Sequence, residues 1–180
     1  MCTCEAKYSA KAVANSLIEK CEEMSISDVT PMKLQKLLYF AQAWHLAFLD
    51  APLFKEDIQA WEWGPVIPEI YSEFRSYGNQ PIDRKALELR WVDGEMIVDY
   101  PKMDSTDEDA NEILQNVLNV YGRLSAIQLS NITHAKETPW SIVASNYPSY
   151  LPRGLQIPNE LIRDVFKKMS EDGAANVQQI

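Results

Sequence analysis

Two histidines occur in the 180-residue chain, His45 and His134, so acid/base chemistry built on imidazole has two places to start. His134 stands in the run Thr133-His134-Ala135-Lys136-Glu137-Thr138-Pro139-Trp140, where a titratable ring, a carboxylate, a helix-capping threonine and an indole share one polar turn. Paired with Glu137, His134 would supply a general acid and base; without that pairing the same residues form a structural knot that fixes a loop, and this is the favoured reading. His45 lies mid-helix between Trp44 and Leu46, the place of a core histidine bonded to a near neighbour. Cys21 falls on an apolar stripe, where a thiol packs rather than reacts, and Cys2-x-Cys4 lacks the second ligand pair of a zinc site. No GxSxG elbow, Walker A loop, GxGxxG or HExxH is present, so neither an enzyme nor a metal or cofactor site is expected.

The elements that must position these residues are mostly helical. Residues 6–24 carry an apolar stripe from Ala10 to Cys21, with Ser9 able to cap a shorter version. Thr30-Pro31 opens a helix over 32–49 that keeps almost no polar face beyond Lys36, so it belongs at the centre of the core. Alternation over 58–63 predicts a short strand, and Gly64-Pro65 reads as the turn after it. Pro68 starts a helix with Ile70, Tyr71, Phe74 and Tyr77 at helical spacing. Asp93-Gly94, flanked by apolar runs within 89–100, predicts a hairpin. Further helices follow from Ser105 with Glu108 and Ser125 with Gln128 as capping boxes, from Thr138-Pro139, and from the stripe over 159–169. The fold class is therefore mainly α, one helical domain over 1–173 with a small antiparallel β element and a frayed tail over 174–180.

Charge and length exclude several partners. Lys and Arg number 17 against 26 Asp and Glu, a net charge of −9 that repels phosphate backbones. Lys11, Lys20, Lys33, Lys36 and Arg75 are the raw material for a local basic patch, but on amphipathic helices such charges read as the solvated face. Nucleic acid is thus an unfavoured partner. The uncharged stretch over 37–49 is shorter than the ~18 residues that span a bilayer, and residues 1–7 lack a signal-peptide pattern, so no membrane association and a cytoplasmic location are expected. Five tryptophans, at 44, 61, 63, 91 and 140, exceed what a small core needs; those left exposed are natural anchors for a protein partner.

Two ordered blocks carry a resemblance. The first runs Thr30-Pro31-Met32-Lys33-Leu34-Gln35-Lys36-Leu37-Leu38-Tyr39-Phe40-Ala41-Gln42-Ala43-Trp44-His45-Leu46-Ala47 and continues in Pro52-Leu53-Phe54 and Ala60-Trp61-Glu62-Trp63-Gly64-Pro65-Val66-Ile67-Pro68. The second comprises Tyr121-Gly122, Leu124-Ser125-Ala126, Leu129-Ser130, Thr133-His134 and Pro139-Trp140. Together they resemble the Panacea domain of SocA-like antitoxins and GepA-like phage-associated proteins. The resemblance implies an antitoxin that neutralises a cognate toxin by direct protein contact, with delivery of the toxin to a Clp-type protease as the alternative; a prophage-encoded regulator and an enzyme using His134 are more distant ones. It implies a scaffold role for Lys33, Gln35, Lys36, Tyr39, Trp44, His45, Trp61, Gly64, Pro65, Val66, His134, Pro139 and Trp140. Partner-specific contacts are expected from the hairpin near Asp93-Gly94 and from the exposed side of the helix that Pro68 opens.

Overall fold

The structure, a computed structural model, describes residues 5–177, with side chains as far as residue 173. Cys2 and Cys4 lie outside the described residues, as do 178–180 of the expected tail. In chain order the elements are α1 (Ala10–Glu23), α2 (Pro31–Leu49), β1 (Gln59–Trp61), β2 (Gly64–Val66), α3 (Pro68–Phe74) running into a 3-10 turn (Arg75–Tyr77), β3 (Glu88–Val92), β4 (Glu95–Asp99), α4 (Glu108–Tyr121), α5 (Ala126–His134), α6 (Pro139–Ala144) and α7 (Asn159–Val177). Seven helices and two separate two-stranded antiparallel sheets make the fold mainly α among the described residues.

The organising element is α2. The Thr30 hydroxyl accepts the Lys33 amide at 3.3 Å, and Pro31 fills the first helical position, where its missing N–H costs nothing. With Leu34, Leu37, Leu38, Phe40 and Leu46 all buried, α2 has no solvent face over most of its length, and α1, α4, α5, α7 and β2 pack around it. Each such side chain contributes about 1.5–3 kcal/mol of burial, so the centre of the core is also its main stabiliser. Similar caps start the other helices: Ser9 for α1, Thr138 with Pro139 for α6, and a full Ser125/Gln128 capping box for α5.

Several local expectations need correction. The Gly64-Pro65 pair is not a turn but the start of β2; the reversal is at Glu62-Trp63, and Gly64 pairs with Trp61 across the ladder. Ser105 does not cap α4. Asp107 does, accepting the Ala110 amide at 3.3 Å, while Asp104 takes the Thr106 amide and hydroxyl in the turn before it. The helix from Pro68 is α-helical only to Phe74 and tightens into 3-10 geometry to Tyr77. The last helix passes Met169 and residue 173 and reaches Val177. The hairpin has the expected Asp93-Gly94 tip, with φ of +52° and +85°, the positive pair that a type I′ turn requires.

Candidate functional site

The motif residues converge on the β1–β2 hairpin, and they do so by taking its backbone carbonyls one after another. Trp140 Nε1 donates to the Trp61 carbonyl at 2.9 Å, His134 Nε2 lies 3.1 Å from the Glu62 carbonyl, and the Ser130 hydroxyl donates to the Trp63 carbonyl at 3.0 Å. Lys36 Nζ donates to the Pro65 carbonyl at 3.1 Å, and the Gln35 amide clasps Ile67 from both sides, accepting its N–H at 2.8 Å and donating to its carbonyl at 3.2 Å. These bonds come from α2, α5 and α6, so three helices share this hairpin's backbone as a common partner. Val66 is buried opposite Gln59 in the ladder, and Pro139 is buried at the first position of α6.

Gly64 explains its own residue type. Its φ is +104°, and a Cβ there would stand 2.7 Å from Thr133 Oγ1 and 2.9 Å from Lys36 Cε. Any other residue would be strained at that φ and would have to displace the Thr133 and Lys36 side chains. Lys36 is 1% exposed, and burial pulls its amine down to about 7. Lys33 is likewise buried, its ammonium 2.6 Å from Asp28. The expectation that these two lysines belong to a solvated face is therefore wrong: the first half of the helix they sit on is buried, and their stems run through the core to reach oxygen partners. Lys11 is committed to Glu69 and Glu73, which leaves no basic patch of the expected residues.

The two histidines are held separately. His45 Nδ1 sits 2.7 Å from the Ala51 carbonyl just past the end of α2, and burial keeps its pKa below the ordinary imidazole value. His134 has backbone carbonyls at both ring nitrogens, Ser130 at 2.6 Å and Glu62 at 3.1 Å, and its ring lies 3.8 Å from that of Trp140. No hydrogen bond joins it to Glu137 among the described residues, so the acid/base pair is not assembled. Tyr39 is buried against Phe40 and Phe166, its hydroxyl without a hydrogen-bond partner among the described residues. Burial pushes the Cys21 thiol up to about 11, consistent with an inert packing group. No group of three or more metal-ligating side chains occurs among the described residues.

Three polar residues were given no site role by the sequence, although Gln42 and Ser130 stand inside the resembling blocks, because their partners are backbone atoms elsewhere in the chain. Gln42 accepts the Leu53 and Phe54 amides at 2.8 and 3.1 Å, fixing the chain that leaves α2. Asn15, 1% exposed, accepts the Ala86 amide at 2.7 Å and donates to the Ala86 and Pro101 carbonyls, so α1 grips both legs of the β3–β4 hairpin. Ser130 is the third. The one available signal is a polar side chain inside an otherwise apolar helical stripe.

Beyond that grip the β3–β4 hairpin is uncovered. Register places Leu89 opposite Val98 and Trp91 opposite Met96, so these four apolar side chains share one face. All four are more than half exposed, Trp91 at 74%. The opposite face mixes Glu88, Arg90, Glu95 and Asp99 with the less exposed Val92 and Ile97, and carries an Arg90–Asp99 ion pair at 3.2 Å. Of the five indoles, Trp63 and Trp91 are exposed, while Trp44, Trp61 and Trp140 are partly buried. Trp61 and Trp140 border a cleft of about 1030 Å3 together with Tyr147 and Tyr150. On α3, Tyr71 lies edge-on to Trp61, with ring centroids 5.0 Å apart.

Comparison with known proteins agrees with the motif geometry. The model of the family described as "Antitoxin SocA-like, Panacea domain" matches residues 34–141, from the first turn of α2 to α6. Antitoxin SocA of Caulobacter vibrioides (strain NA1000 / CB15N) is 35% identical over 158 residues, covering 88% of this chain and 82% of that protein. No solved structure matches the chain. No helix among the described residues is long and apolar enough to cross a membrane. The chain belongs to the family of SocA-like antitoxins that carry the Panacea domain.

Proposed function

We propose that the protein is a cytoplasmic antitoxin that neutralises a cognate protein toxin by direct contact, with the β3–β4 hairpin as its contact arm. The observation that carries this reading is the apolar face of Leu89, Trp91, Met96 and Val98, held clear of the body on a hairpin whose legs Asn15 fixes. An isolated two-stranded hairpin is marginal in water, and a monomer has no use for a row of exposed aliphatic groups around an indole; burial against a partner resolves both problems. The charge of −9 speeds encounter with a basic toxin. The motif residues Lys33, Gln35, Lys36, Tyr39, Trp44, His45, Trp61, Gly64, Pro65, Val66, His134, Pro139 and Trp140 act as scaffold: most of them hold backbone or fill core, and none needs a substrate to explain its bonds.

Coexpression with the product of the neighbouring gene tests the reading. The neighbour alone arrests growth, the wild-type chain restores it, and a Leu89→Ser/Trp91→Ser variant does not. A neighbour that is harmless alone, or equally toxic with the wild-type chain present, contradicts it. Rescue that persists in Clp-deficient cells with an unchanged toxin half-life marks occlusion; rescue that is lost there marks delivery to the protease.

A further inference from the structure

A second surface lies where the last turns of α2 meet α4. The last turns of α2 and the length of α4 run side by side and leave an open groove of about 500 Å3 between them. Its floor is apolar: Trp44, Phe48, Ile113, Val117, Val120 and Tyr121. That floor is built in advance, since Tyr121 is stacked on Phe40 at 4.0 Å, Trp44 Nε1 donates to the Tyr121 hydroxyl at 3.3 Å, and Trp44 meets Phe166 edge-on at 5.0 Å. Phe48 and Val120 are nevertheless 60% and 64% exposed, although α4 has an ordinary buried stripe to spare them. Along the α4 edge stand Asp109, Glu112 and Asn116, and neither carboxylate has an ion-pair partner among the described residues.

Length, section and charge together select an occupant. From Asp109 to Val120 the α4 edge measures about 16 Å, three turns of helix. A trough between two packed helices matches the ridge of a third, with apolar side chains every three or four residues reaching the floor. Unpaired carboxylates on the rim, within a chain of net charge −9, favour cations beside that ridge. We propose that the α2–α4 groove receives a three-turn amphipathic helix of a partner protein, apolar on one face and lined with Lys or Arg along its flank. The groove is separate from the hairpin and does not depend on the antitoxin reading. A partner could engage both surfaces at once, and the linked contacts would then reinforce each other.

The test uses the full chain and a labelled helical peptide of about 14 residues, with Leu at three- and four-residue spacing and Lys on its flanks. Fluorescence anisotropy of the labelled peptide reports binding. The expected result is saturable binding that weakens at least ~10-fold for Val120→Arg and for a peptide twin carrying Glu in place of Lys, about 1.4 kcal/mol or more in each case. Val120 is exposed, so its variant keeps the wild-type unfolding midpoint. Three results overturn the proposal: no binding, equal binding by a peptide with the same residues scrambled, or binding that Val120→Arg leaves unchanged. Self-association of the wild-type chain that Val120→Arg abolishes also overturns it, by making a second copy the occupant.

Discussion

Residues 59–67 and residues 88–99 are both short antiparallel hairpins, and they are held in opposite ways. In the first, the carbonyls of Trp61, Glu62, Trp63, Pro65 and Ile67 all face polar side chains from three helices, and β2 is buried along its whole length. In the second, the body grips the base, through Asn15 at Ala86 and Pro101, Lys11 at the Leu87 carbonyl and Ser9 at Glu88, and the strands beyond rely on their own ladder. The family match over residues 34–141 spans both hairpins, whereas the residues of the two resembling blocks that bond the backbone do so at the first. The contrast separates two jobs: side chains that must match a particular backbone are tied to one arrangement, whereas an arm fastened only at its base can change its outward face without unsettling the core.

Substitutions can break that contrast from either side. The largest expected effect is at Gly64. Gly64→Ala forces a Cβ toward Thr133 and Lys36 at a φ of +104°, and denaturant unfolding is expected to show a loss of about 3 kcal/mol or more. Asn15→Ala leaves the Ala86 amide without its partner and costs about 2 kcal/mol. Hydrogen exchange should then rise through 88–99 and stay unchanged through 59–67; the reverse pattern would mean that Asn15 does not hold the arm.

Lys36→Met sharpens the comparison through pH. The unfolded chain keeps the Lys36 proton up to the ordinary value of 10.5, while the folded protein releases it at about 7. Between those values the unfolded state binds more protons, so this residue makes wild-type stability rise with pH across the window. The methionine variant is expected to lose that rise. At neutral pH its net change is smaller than that of Gly64→Ala, because losing the bond to Pro65 is offset by no longer burying an amine. Urea midpoints collected from pH 6 to 10 decide the matter, and parallel curves for the two proteins contradict it. The smallest effect belongs to Trp140→Phe, which keeps the ring and removes one donor to the Trp61 carbonyl, for about 1 kcal/mol in thermal unfolding.

Much of the fold is legible in the sequence because its signals are local. Thr30-Pro31, Thr138-Pro139 and Ser125 with Gln128 each place a side-chain oxygen within three residues of the amide it accepts, and Asp93-Gly94 carries its turn in two residues. Ser105 misled because three candidate caps stand within four residues, and the choice among Asp104, Ser105 and Asp107 falls to tertiary contacts: Asp107 also takes Lys7 and the Tyr8 hydroxyl. The candidate site was legible in its members but not in its geometry. Gln35 and Lys36 reach backbone about thirty positions away, and Asn15 reaches more than seventy, distances at which nothing in the chain marks the pairing. The buried lysines read as solvated for the same reason, since a charge reveals its burial only when its oxygen partner is known. The α2–α4 groove has no sequence signature either; it exists only where two helices happen to lie side by side.

The central claim is that the apolar face of the β3–β4 hairpin grips the toxin while the motif junction only supports it. Isothermal titration of the cognate toxin into the wild-type chain and into Trp91→Ala tests it most directly. Because Trp91 is 74% exposed, the account predicts an unchanged unfolding midpoint together with a loss of about 2 kcal/mol in binding, roughly 30-fold in Kd. An affinity equal to that of the wild type would contradict it.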